Sequence, residues 1–134
     1  MTDQKAFAYY RCANASESSV ATQKKHVQEY CRSMHYELFS EITAHKPLDE
    51  AQAKAICRVI RQKMHIFGPI KLLVLNLQRL NRDLYMVHRI SDVFSRHDIT
   101  VESVSKMDQE ILALSDQDEY EFMQALSGNG MSAF

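Results

Sequence analysis

The stretch IKLLVLNL, residues 70–77, is apolar except for Lys71 and Asn76. A strand with one wet face alternates apolar and polar residues. A run this uniform is covered on both faces, as in a parallel sheet flanked by helices. Gly68-Pro69 ends whatever precedes it and starts the strand. The flanking segments carry helical spacing. Upstream, Pro47 is placed at the first turn of a helix over about 48–65, with Ile56, Val59, Ile60 and Met64 facing inward. Downstream, a helix over about 82–97 has Leu84, Val87, Ile90, Val93 and Phe94 as its stripe, and ITVESV (99–104) reads as a strand.

Further out the alternation continues. AFAYYRC (6–12) reads as a short buried strand, ended by the polar run Asn14 to Ser19. A helix follows from Ser18 or Ser19, with Val20, Val27, Tyr30, Cys31 and Met34 at helical spacing, and YELFSEI (36–42) is the next strand. A last helix over about 115–127 stops at SGNG, residues 127–130. The order β-α-β-α-β-α-β-α predicts an α/β fold: a mostly parallel sheet of four to five strands with helices on both faces.

Composition narrows the function. With 134 residues, 46% hydrophobic and 25% charged, the chain is sized for one domain, 1–134, without a structural metal or disulfide. No apolar run is long enough to span a membrane and no signal peptide is evident, so a cytoplasmic location without membrane association is expected. Cys12, Cys31 and Cys57 form no CxxC pair and read as reduced, buried hydrophobes. His35, His45, His65 and His88 fit no zinc pattern, and no metal or cofactor is expected. Residues 1–97 hold 15 Lys+Arg against 9 Asp+Glu (+6), whereas 98–134 hold one lysine against eight acids (−7). The basic body can approach a phosphate backbone that the acidic C-terminal quarter would repel.

Sheets of this kind carry functional residues at the carboxyl ends of their strands. Two ends stand out: Arg11 to Asn14, and Gln78 to Arg82. Arg11 closes an apolar strand, where a charge is costly unless it finds a partner. Arg79 and Arg82 are three apart at an expected helix start, where the helix end and guanidinium forks both favour an anion. The residues alone leave two readings open, a phosphate or carboxylate site or three solvated charges.

The motifs around these arginines resemble a known family. YYRCA (9–13) resembles the Tyr-x-Arg-x-Ser opening of serine recombinases of the resolvase/invertase type. SVATQ (19–23) is similar to that family's Ser-Leu/Ile-x-x-Gln, and LNLQRLNRD (75–83) to its Lys-Leu-Asp-Arg-Leu-Gly-Arg-Asp. The match runs over about residues 5–105 in the right order. It implies a domain in which a serine attacks a DNA phosphate to form a phosphoserine link, with subunits of a tetramer exchanging strands. Arginines there stabilise the charge of the transition state. By motif, Arg11, Arg79 and Arg82 take those places, and Gln23 that of the glutamine that orders the site.

The departures sit in the same motifs. Ala13 occupies the nucleophile position and has no atom that can attack. Gln78 replaces an acid, Asn81 a glycine, and HKPLDE (45–50) lacks the family's arginine, leaving Lys46 as a point-charge substitute. The family's long dimerising helix and helix-turn-helix region have no counterpart in these residues. The resemblance therefore implies a recombinase-like domain without strand cleavage. It would act as a homo-oligomer (a dimer) or on a recombinase partner, with weak DNA binding of its own. An active recombinase domain whose serine was exchanged for Ala13, and an unrelated anion-binding α/β module, are the competing readings.

Overall fold

The structure, a computed structural model, describes residues 3–12 and 17–105. Ala13 and the helix expected at 115–127 lie outside the described residues. Within them run β1 (Gln4–Arg11), α1 (Glu17–Met34), β2 (Tyr36–Ala44), α2 (Glu50–Lys63), β3 (Ile70–Val74), α3 (Leu84–Ser95) and β4 (Ile99–Ser103). A single 3₁₀ turn, Leu77–Arg79, stands between β3 and α3. The four strands pair in parallel in the order β2-β1-β3-β4. This is the parallel α/β sheet the apolar runs predict.

The alternation of β1 divides the interior into two layers. Phe7 and Tyr9 point to the side of α2 and α3, where they meet Cys57, Ile60, Val87, Ile90 and Phe94. Ala6, Ala8 and Tyr10 point to α1 and meet Val27 and Cys31. Helices thus cover both faces. All three cysteines are buried and unbridged, as small hydrophobes.

Several details differ from the sequence reading. The apolar run at 70–77 is only partly strand. After Val74 the chain turns at Asn76, and Leu77 and Leu80 enter the core from the 3₁₀ turn, so apolarity there records burial rather than extension. The helix after Pro47 starts later than expected, because Asp49 caps it: its carboxylate accepts from Gln52 N–H at 2.8 Å. Within α2, Ala53, Cys57 and Ile60 are the buried line, while Val59 and Met64 are exposed. Ala53, Cys57 and Ile60, at 0–1% exposure, are the face of α2 turned to the core. Met34, at the end of α1, is likewise exposed.

On the α1 side three tyrosines are held by carboxylates. Glu102 accepts from Tyr30 at 2.7 Å and from Tyr36 at 2.8 Å, and Glu41 accepts from Tyr10 at 2.6 Å. Burial, then these hydrogen bonds, push Tyr10 and Tyr36 above the ordinary tyrosine value of 10.0. The folded chain therefore retains protons that the unfolded chain releases. The resulting stability is complete below pH 10 and declines as pH rises beyond it. Urea midpoints at rising pH are expected to fall above that value, and to fall less in Tyr10→Phe and Tyr36→Phe. An alkaline limb unchanged by both substitutions contradicts the assignment.

Candidate functional site

From β1 the chain crosses to β2 on one side, and from β3 to β4 on the other. Their onward connections diverge at the carboxyl ends of β1 and β3. That is where open α/β sheets hold ligands. Pairing between β1 and β3 stops at Ala8↔Leu73, whereas pairing to β2 continues to Arg11↔Ala44. The last part of β1 thus has no strand beside it on the β3 side, and its peptide groups need other partners.

Gln23, on the second turn of α1 and 0% exposed, supplies them. Arg11 N–H donates to Gln23 Oε1 at 3.2 Å, and Gln23 Nε2 donates to the Arg11 carbonyl at 2.9 Å. One side-chain amide thus acts as the missing piece of neighbouring strand. The Arg11 side chain, 7% exposed, lies by alternation on the face of Phe7 and Tyr9. Its Nη2 donates to the Gln78 carbonyl at 2.8 Å. Arg79 reaches back from the 3₁₀ turn and donates from Nη1 to the Arg11 carbonyl at 3.3 Å. Its Nε is buried and has no hydrogen-bond partner among the described residues.

Two guanidinium groups therefore converge on the end of β1, two residues before Ala13 in the sequence. Among the described residues neither is bonded to a carboxylate; their partners are backbone carbonyls. Charges held this way are poorly compensated and favour an anion. Arg11 also acts on its surroundings: burial raises the Tyr9 phenol above its usual value, and the Arg11 charge partly offsets the rise.

The other expected residues are placed differently. Arg79 and Arg82 do not share the start of α3, because Asp83 is its N-cap, accepting from Tyr85 N–H at 3.0 Å. Arg79 ends the 3₁₀ turn. Arg82 is exposed in the connection and makes no hydrogen bond or ion pair among the described residues. Gln78 enters through its backbone carbonyl while the residue is exposed, and the Lys46 carbonyl accepts from Tyr9 Oη at 3.4 Å. Asn81, in place of glycine, ties the connection to the end of β2's loop by donating to the Leu48 carbonyl at 3.0 Å. No group of three or more His, Cys, Asp or Glu side chains among the described residues is placed to hold a metal. No described helix is long and apolar enough to cross a membrane.

His45 reads from the sequence only as a histidine outside any zinc pattern, and the structure places it at this strand end. Its Nδ1 lies 3.1 Å from the Cys12 carbonyl oxygen, on the β2 side of the same strand end. The strand-end rule applied to β2, as it was to β1 and β3, would have singled it out.

The fold is that of an α/β domain with a parallel sheet and two arginines at its switch point, at the end of β1. The particular family follows from sequence: the resolvase N-terminal domain model matches residues 6–128, and the chain belongs to that family of DNA recombination proteins. Among solved structures, it is similar to the N-terminal catalytic domain of TP901-1 integrase. Identity there is 22% and the TM-score 0.63, over 90% of this chain and 98% of that one. A resolvase family site-specific recombinase from Streptococcus pneumoniae is 17% identical with a TM-score of 0.62, over 98% and 97%. The C-terminal catalytic domain of ISC1926 TnpA, an IS607-like serine recombinase, is 14% identical with a TM-score of 0.60, over 91% and 79%. No match was found among curated proteins.

Proposed function

We propose that this chain is a recombinase-family domain that retains a phosphate-binding corner and does not cleave DNA. In this reading it acts as a homo-oligomer or on a recombinase partner. The convergence of Arg11 and Arg79 on the strand end that leads into Ala13 carries the proposal. In acyl and phosphoryl transfer, arginines stabilise charge that develops only once a nucleophile attacks. Here the residue at that position ends in a methyl group. Cys12 offers no substitute, since it is 4% exposed and burial opposes access. What remains is the ground-state part of the chemistry: binding and orienting a phosphate, or an acidic group of a partner protein.

Incubation with supercoiled DNA, followed by denaturing electrophoresis, tests the reading. The chain is expected to form no covalent protein–DNA link, and Ala13→Ser is expected to form none, because Gln78 and Lys46 also depart from the family pattern. A covalent link in Ala13→Ser would identify an intact recombinase site lacking only its hydroxyl, and would overturn the proposal. Sedimentation of the chain alone tests the oligomer, and a strictly monomeric species restricts the reading to a partner protein.

A further inference from the structure

We infer that the outer seam between α2 and α3, ending at Phe67, is a second contact surface whose ligand is a single strand of nucleic acid. Cations along the seam meet its phosphates, and the Phe67 ring stacks on a base. The site goes beyond the phosphate corner, since Phe67 lies in the turn between α2 and β3, at the opposite end of the sheet from Arg11 and Arg79. The ring is 86% exposed, the most open large hydrophobic side chain among the described residues. A free turn would fold such a ring inward, but this turn is clamped. Arg61 Nη1 donates to the Ile66 carbonyl at 3.1 Å and to the Gly68 carbonyl at 2.9 Å, holding the residue on each side of Phe67. Arg61 Nε donates to the His97 carbonyl at 3.1 Å, and Gln4 Nε2 to the Pro69 carbonyl at 2.9 Å. Gly68, at a φ of 87°, supplies the left-handed backbone that the turn needs. The turn is thus tied to α2, to the end of α3 and to β1, while the Phe67 ring is left in water.

Charge selects the partner. Lys54, Arg58 and Arg61 follow one another at helical spacing along α2, and Arg89 and Arg96 stand two turns apart on α3. The two helices pack side by side, and Arg89 pairs with Glu50 across the seam. The hydrogen bond from Arg89, then the charges of Arg89, Lys54 and Arg96, hold the Glu50 carboxyl below its usual value, which places all three cations near it. Five cations against Glu50 and Asp92 leave the seam positive. Lys54, Arg58 and Arg96 are exposed and make no side-chain hydrogen bond or ion pair among the described residues. Protein docking sites centre on clustered hydrophobics and deplete charge at their core. Here one ring stands at the end of a row of cations. A single strand matches both parts: its backbone is a row of anions, and every base has a face for stacking. A duplex keeps those faces inside its own stack, so the ligand is an unpaired strand.

The chain contains no tryptophan, so Phe67→Trp puts a single fluorophore at the site. Titrated with an oligothymidylate of about ten nucleotides, its emission is expected to be quenched to saturation as a base stacks on the indole. Inorganic phosphate, the probe of the Arg11 corner, has no base and is expected to leave the emission unchanged. Affinities of the other variants follow from the anisotropy of a labelled strand. Phe67→Ala is expected to bind about tenfold more weakly while melting with the native chain, because so exposed a ring adds little to the core. Phe67→Tyr keeps a ring and should keep the affinity. Lys54→Gln and Arg58→Gln together should weaken binding at low salt and flatten its salt dependence. Binding without quenching, native affinity in Phe67→Ala, equal quenching by a duplex, or no oligonucleotide binding at all overturns the inference. A blue shift that grows with protein concentration in the absence of DNA overturns it in favour of a second copy of the chain on this face. None of these outcomes touches Arg11 and Arg79, whose phosphate binding is a separate measurement.

Discussion

Arg11→Met is expected to unfold at a higher denaturant concentration than the native chain, a gain of about 1–2 kcal/mol, while losing its response to phosphate. The sign follows from the environment of Arg11. A guanidinium with 7% exposure has given up most of its hydration, and its side-chain partner among the described residues is the Gln78 carbonyl. One charge–dipole hydrogen bond does not offset the desolvation of a full charge. Methionine fills similar volume next to Tyr9 without that penalty. The Gln78 carbonyl, on an exposed residue, can turn to water. A residue that destabilises the fold where it sits is there for what it binds. Equilibrium urea unfolding decides the point, and a loss of more than about 1 kcal/mol would assign Arg11 to structure instead.

The opposite sign is expected at Gln23. Gln23→Ala removes two hydrogen bonds at once and strands the Arg11 N–H in the interior, at a cost of about 2–4 kcal/mol. Melting should fall by about 10 °C. Gln23→Glu separates the two bonds. A carboxylate still accepts from the N–H but faces the Arg11 carbonyl without a hydrogen, so this isostere should lose at least as much as alanine near neutral pH. If glutamate were tolerated as well as glutamine, the amide would not be serving as surrogate strand. Because the effect concerns the end of β1, phosphate binding should fall with stability in these variants, in contrast to Arg11→Met.

The parallel sheet was legible because burial on both faces leaves its mark on composition: IKLLV and AFAYY admit few other folds. The boundaries were less so. Leu77 and Leu80 are apolar because they pack, and nothing in their composition distinguishes a strand from a 3₁₀ turn. The inward face of α2 was misread for a related reason. Val59 and Met64 are more hydrophobic than Ala53, but a helix lying close on a sheet selects small residues at the contact. At the site, the pairing of Arg11 with Arg79 followed from the strand-end rule and from motif spacing. The separation of Arg82 from that pair did not, because Asp83 sets the start of α3 and only cap geometry reveals it.

The proposed function depends on Arg11 and Arg79 holding a phosphate at the end of β1. Calorimetric titration of inorganic phosphate into the native chain, Arg11→Met and Arg79→Met measures that directly. The account predicts binding by the native chain and a loss of at least tenfold in each variant, both variants remaining folded. Equal affinity in all three would contradict it.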